Sequence, residues 1–271
     1  IQGGVIYTPQ IRPAGSGTAG RISYIQSGGD VNITGNKNTA SGVLGTVGSL
    51  RIVGENNVFV MNGGTISIYD GVGAGGVIDI DVKSENMNVT GGTISIVMDK
   101  DESSGNRNNY FINTSGSLYN LSVYTTGSAS GQMDLRLYND LIVKNNLIIS
   151  DDIEFMLGED IDLGPFYNLT VGRNLTIGNS TQSNSSILTV NTAKDDGGSI
   201  KFNGSNNSLF TISDTVETNI EIYNLIVEKS SSSVQVKLVS NGRLSADIIN
   251  DSSTFLNLLN DWYNLIRRNV K

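Results

Sequence analysis

The sequence predicts an all-β fold: a right-handed parallel β-helix, a solenoid with an extended N-terminal arm and a helical C-terminal cap. Three observations carry that expectation. Gly63-Gly64-Thr65-Ile66-Ser67-Ile68 returns letter for letter as Gly91 to Ile96, 28 residues later. A second phrase recurs as Leu118-Tyr119-Asn120-Leu121-Ser122-Val123, Phe166-Tyr167-Asn168-Leu169-Thr170-Val171 and Ile222-Tyr223-Asn224-Leu225-Ile226-Val227. Charged residues make up only 16% of the chain, against about 25% in ordinary globular proteins, and Asn, Ser, Thr and Gly take up the difference. A repeat period between about 20 and 50 residues is the mark of a solenoid, in which each repeat buries its apolar face only against the next.

Residues 1–19 hold Pro9 and Pro13 around an apolar Val5-Ile6-Tyr7. Proline removes a ladder donor, so this stretch reads as an edge strand or an arm, not as a central strand. It forms a terminal cap strand or, in a sharper reading, adds a strand to a neighbouring molecule.

Residues 20–253 are assigned to the solenoid. Short alternating segments such as Arg21-Ile22-Ser23-Tyr24-Ile25, Ser49-Leu50-Arg51-Ile52-Val53 and Val77 to Val82 place one row of side chains inward and the next outward. A looser copy of the glycine repeat lies at Ile25 to Ile33, around Gly28-Gly29. The run Gly71 to Gly76 is a corner and not a phosphate loop, because no Lys-Ser/Thr and helix follow it. The tyrosines of the second phrase, with Tyr263 in a partial fourth copy, stand 48, 56 and 40 residues apart, close to two coils each. Roughly ten coils follow, rising about 4.8 Å apiece. Tyr119, Tyr167 and Tyr223 are then expected to stack as an aromatic column on one coil position.

Residues 254–271 break the pattern. Phe255, Leu258, Leu259, Trp262 and Ile266 fall on one helical face, with Arg267-Arg268 at its end. Tyr263-Asn264-Leu265 echoes a strand instead, so both readings stand, and the helix is preferred because a solenoid end needs a cover for its open edges.

The phrase Asn139-Asp140-Leu141-Ile142-Val143-Lys144-Asn145-Asn146-Leu147-Ile148-Ile149, taken with Tyr-Asn-Leu, resembles the repeats of large secreted surface proteins of archaea and some bacteria, adhesin-like chains of the parallel β-helix type. The resemblance covers residues 110–271, and the glycine block more loosely. It implies a structural or adhesive role at the cell surface. It carries over no catalytic or binding residue, because the repeat has none.

Chemistry is limited by what the chain lacks. With no histidine and no cysteine, the commonest general base, disulfides, thiol catalysis and most zinc sites are excluded. A net charge of −8 without a basic cluster argues against nucleic acid. No apolar run approaches the length of a membrane span, and the opening on Ile1 is consistent with a processed or partial chain.

Carboxylates remain. Asp99 and Asp101 fall at alternate positions in a polar loop, as in a calcium loop, but the expected glycine is displaced to Gly105. Asp151, Asp152, Glu159 and Asp160 lie in the densest acidic stretch. A structural Ca²⁺ could be drawn from these six residues, yet solvated turns account for them equally well and are preferred. Catalysis by a carboxylate pair is disfavoured, since aromatics for sugar subsites are only 7% of the chain. No cofactor is expected. Asn-x-Ser/Thr sequons occur at Asn32, Asn88, Asn113, Asn120, Asn168, Asn174, Asn179, Asn184, Asn203, Asn206 and Asn250, and would carry glycan only on an exported protein.

The expected function is an extracellular, cell-surface structural or adhesive protein, not an enzyme. It would be a subunit or segment of a filament, sheath or surface layer that self-associates into a polymer or homo-oligomer. The rival expectation is a polysaccharide-degrading enzyme or a tail-spike-like glycan-binding protein on the same fold.

Overall fold

The computed structural model describes residues 1–12, 20–34, 48–70, 75–101, 110–128, 133–150, 152–158, 165–178, 186–188, 190–191, 196–212, 219–231, 233–240, 243–250 and 256–258. They form a parallel β-solenoid, as the repeats predict. One sheet has ten strands: Val5–Thr8, Ser23–Ile33, Val58–Asp70, Met87–Asp99, Asn120–Thr126, Asn146–Ile149, Asn174–Ile177, Ser208–Ile212, Val236–Ser240 and Leu256–Leu258. Every neighbouring pair in it is parallel.

The other large sheet has twelve strands and doubles back at the long strand Asn219–Lys229. The leading half of that strand pairs with Ser186–Leu188, and its trailing half with Ser199–Gly204. Two walls of the coil therefore merge in this strand, giving three walls in all. One wall continues back through Ile153–Met156, Met133–Leu137, Tyr110–Thr114, Gly75–Asp81 and Gly48–Val53; the other through Leu169–Val171, Leu141–Val143 and Ser117–Leu118. A short antiparallel pair, Val190–Asn191 with Asp196–Gly197, stands off the coil.

The 28-residue repeat is one coil. Thr65 pairs with Thr93, Ile66 with Ile94 and Ile68 with Ile96, so identical letters lie over one another. Because strand side chains alternate, stacking in register turns each inward position into a column. One column runs Val31, Ile66, Ile94, Leu121, Leu147, Leu175, Phe210 and Leu238, all buried. A second runs Ile33, Ile68, Ile96, Val123, Ile149, Ile177 and Ile212. Each fully buried Leu or Ile contributes about 1.5–3 kcal/mol by leaving water, so these columns are the main source of stability.

Paired glycines turn the corner in the first coils. Gly64 and Gly92 hold φ at +80° and +85°, a region closed to most side chains. A Cβ on Gly64 would also come 2.5 Å from the carbonyl oxygen of Gly29 in the preceding coil. The register shifts at these corners, between Gln26 and Asp30 and between Met61 and Thr65, bend one long strand from wall to wall without a loop.

Two expectations need correction. Leu256–Leu258 lies within the segment expected to be a helix but pairs as a parallel strand with Val236–Leu238, because Leu256 and Leu258 follow the strand alternation of the coil beneath. No capping helix is shown; residues 259–271, with Trp262 and Arg267-Arg268, lie outside the described residues.

The repeated tyrosines do not share one column. The strand after Tyr119 belongs to the ten-stranded sheet, whereas those after Tyr167 and Tyr223 belong to the twelve-stranded one. Leu169 stacks on Ile200 and Ile200 on Leu225, so the second and third copies are two coils apart on one wall. The first copy uses the same letters at a different corner. Aromatic stacking occurs elsewhere: Tyr24 lies on Phe59, ring centroids 5.4 Å apart, on successive coils.

Candidate functional site

Asparagine is the residue that the corners of the later coils share. Asn120 donates from Nδ2 to the Gly92 carbonyl at 3.0 Å, and its Oδ1 accepts from Asn145 Nδ2 at 2.8 Å and from the Asn146 backbone N–H at 3.3 Å. One coil on, Asn174 Nδ2 donates to Asn146 Oδ1 at 2.9 Å, and Asn174 Oδ1 accepts from the Leu209 N–H at 2.9 Å. The coil after that repeats the device with Asn207 Oδ1 and the Gln235 N–H.

A second ladder climbs another corner. Asp140 accepts from the Asn168 N–H at 2.8 Å, Asn168 Oδ1 accepts from the Ser199 N–H at 3.1 Å, and Asn224 Nδ2 donates to Ser199 Oγ at 3.4 Å. An amide suits this task because it is donor and acceptor at once, so each rung satisfies the coil below and the coil above. The Asn in Tyr-Asn-Leu is thus a corner brace, and the leucine after it is core.

Two lysines reinforce these corners. The Lys229 ammonium donates to the carbonyl of Gly172 at 3.1 Å, to the carbonyl of Asn203 and to Ser208 Oγ at 2.6 Å, clamping three successive coils. Burial pulls its pKa from 10.5 down to about 8. Lys144 Nζ donates to the Val89 carbonyl at 2.6 Å, a reach of two coils. Nothing in the sequence around Lys229 marks it as buried, because a lone lysine closing a strand ordinarily faces water.

The carboxylates divide in the same way. Asp79 accepts from Arg51 Nε at 3.1 Å and from Asn113 Nδ2 at 3.0 Å, bracing three coils on one wall. Asp134 is held above the usual carboxylate range by burial, which outweighs the Arg136 guanidinium beside it. Asp99 Oδ1 accepts from the Asp101 N–H at 3.0 Å, and Asp101 Oδ1 from the Ser128 N–H at 2.9 Å, so both fasten turns. Asp152, in the left-handed region at φ 60°, pairs with Lys100 at 2.7 Å.

Of the six residues from which a calcium site was drawn, Asp99 and Asp101 therefore come together and Asp152 faces a lysine. Asp151, Glu159 and Asp160 lie outside the described residues. Among the described residues no group of three or more acidic side chains could hold a metal ion.

The sequons sort by the same geometry. Asn113, Asn120, Asn168 and Asn174 each donate from Nδ2 to an atom of a neighbouring coil. Asn32, Asn113, Asn120, Asn174 and Asn203 are half-buried, while Asn88, Asn168 and Asn206 are exposed. Asn250 ends the strand Arg243–Asn250, and Asn179 and Asn184 lie outside the described residues.

No family model matches the chain, and comparison with curated proteins and with solved structures finds no match. Among the described residues no helix is long and apolar enough to cross a membrane.

Proposed function

We propose that the chain is an extracellular structural or adhesive protein of a cell surface, acting as a subunit or segment of a filament, sheath or surface layer and not as an enzyme. The observation that carries this reading is the edge strand Val5–Thr8. Among the described residues it is the end strand of the ten-stranded sheet, and Val5, Ile6 and Tyr7 are 55%, 41% and 75% exposed. The carbonyls of Gly4 and Thr8 are taken by the next strand. Alternation leaves the main-chain groups of Val5 and Tyr7 directed away from it. An apolar strand edge is a template for another strand, and end-to-end pairing of solenoids extends into a polymer because the contact does not close on itself. The use of ladder amides, clamped lysines and paired carboxylates for bracing supports a mechanical role in the same way.

Electron microscopy of the purified chain tests this. The unaltered protein is expected to form filaments or oligomers. The double variant Val5→Lys, Tyr7→Lys is expected to stay monomeric with an unchanged far-UV circular dichroism spectrum, since charges on an edge block strand addition. Monomers of the unaltered chain at every concentration would overturn the proposal.

A further inference from the structure

We propose that Asn88 and Asn206 are N-glycan acceptors, and that the half-buried ladder asparagines Asn113, Asn120 and Asn174 stay bare in the folded protein. This rests on the export reading above, since only an exported chain meets the transferase.

Transfer joins Asn Nδ2 to C1 of an oligosaccharide carried on a polyprenyl pyrophosphate. The C1–O bond to pyrophosphate breaks, the lipid pyrophosphate leaves, and an Nδ2 proton passes to a base of the transferase. The product must fit the coil. At these three ladder positions Nδ2 is directed at a neighbouring coil, onto Asp79, Gly92 and Asn146 in turn. Coils about 4.8 Å apart leave a sugar no exit there.

Asn88 differs. It is exposed within Met87–Asp99, and Thr90, which completes its sequon, is exposed on the same face. Its outward column runs through Val60 to Ile25, which is 55% exposed. These apolar side chains lie about 5 and 10 Å from Asn88 along the sheet, within the span of the first two sugars. A glycan on Asn88 would therefore cover apolar surface that the protein leaves open.

Asn206 is exposed at the bend between Ser199–Gly204 and Ser208–Ile212. There the side chain is open to water, beside the rung at Asn207 and ahead of the buried Ser208 that completes the sequon.

Secreting the full chain from a eukaryotic host and releasing glycans enzymatically in ¹⁸O-water tests the assignment. Release converts each glycosylated asparagine to ¹⁸O-labelled aspartate, which peptide mass spectrometry locates. The folded fraction is expected to carry label at Asn88 and Asn206 and none at Asn113, Asn120 and Asn174. Asn88→Gln and Asn206→Gln should each lose the mass of one glycan with no change in melting temperature. Label at any of those three ladder asparagines in the folded fraction, or bare Asn88 and Asn206, would overturn the assignment. The host supplies the transferase whatever the natural destination of the chain, so this result is separate from the assembly experiment.

Discussion

The coils before residue 101 and those after residue 110 solve the same corner by different means. In the first block two glycines let main chain touch main chain, and the buried partner is neutral: Gln26 donates to the Gly29 carbonyl at 2.9 Å and to the Thr65 carbonyl at 3.2 Å. In the second block glycine remains at the corner, as where Gly172 meets the Lys144 carbonyl, and side chains join it, asparagine amides on one level and a lysine ammonium on another. A glycine corner depends on the absence of atoms, and a laddered corner on the presence of particular ones. The added side chains of the second block should therefore show themselves when atoms are removed, and the glycine corner of the first when atoms are added.

Adding atoms should hurt the first block most. Gly64→Val places a side chain at φ +80° and a Cβ 2.5 Å from Gln26 Nε2 and from the Gly29 carbonyl oxygen, both in the adjoining coil. Left-handed backbone costs about 1–2 kcal/mol and overpacking about 1–3 kcal/mol, so a loss of about 2–5 kcal/mol is expected in urea unfolding. A loss below about 1 kcal/mol would mean that the corner can open, and the contrast between the blocks would collapse.

Removing atoms should hurt the second block, by less. Asn174→Ala deletes the donor to Asn146 and leaves the Leu209 N–H without its acceptor. The expected loss is about 0.5–1.5 kcal/mol, since the Leu209 N–H lies at the surface and water can replace its acceptor. Asn174→Asp sharpens the point: a carboxylate still accepts from Leu209 but cannot donate to Asn146, so it should fall between the alanine variant and the native chain. Equal losses for the two variants would show that the acceptor role is not the one that matters.

How much of this was legible in the sequence follows from where each kind of force acts. The glycine repeat was plain because each copy meets its twin one coil away: Ile66 over Ile94 is both a sequence identity and a contact. The laddered block hid its logic. Asn120, Asn168 and Asn174 stand in sequons, and the letters that make a glycan acceptor also make a brace. Corner length also varies, with Asn120 bracing Asn145 at 25 residues and Asn174 bracing Leu209 at 35, so the period blurs. The same Tyr-Asn-Leu letters serve two different corners, which is why spacing alone put three tyrosines in one column. Lys229 had no signal, because its burial depends on carbonyls 26 and 57 residues away.

The last contrast separates the blocks by pH. Lys229, in the second block, titrates at about 8 folded against 10.5 unfolded. Between those values the unfolded chain holds the extra proton, so stability rises with pH through that window and is level below and above it. The size of the gain follows from that shift, in which the three acceptors of the charged form are already counted. Tyr24, in the first block, acts in the opposite sense. Burial raises its pKa above 10, and its hydroxyl donates to Gln26 Oε1 at 2.7 Å. Above pH 10 the unfolded tyrosine ionises first, so stability there falls as pH rises. Hydrogen exchange followed by peptide should therefore show protection growing around Gly172, Asn203 and Lys229 from pH 8 to 10, after correction for intrinsic exchange, while Tyr24 and Phe59 hold level. In Lys229→Met that growth should vanish, leaving only the decline above pH 10. Growth that persists in the variant would place the titrating group elsewhere and remove the lysine clamp from the account of how the later coils are held.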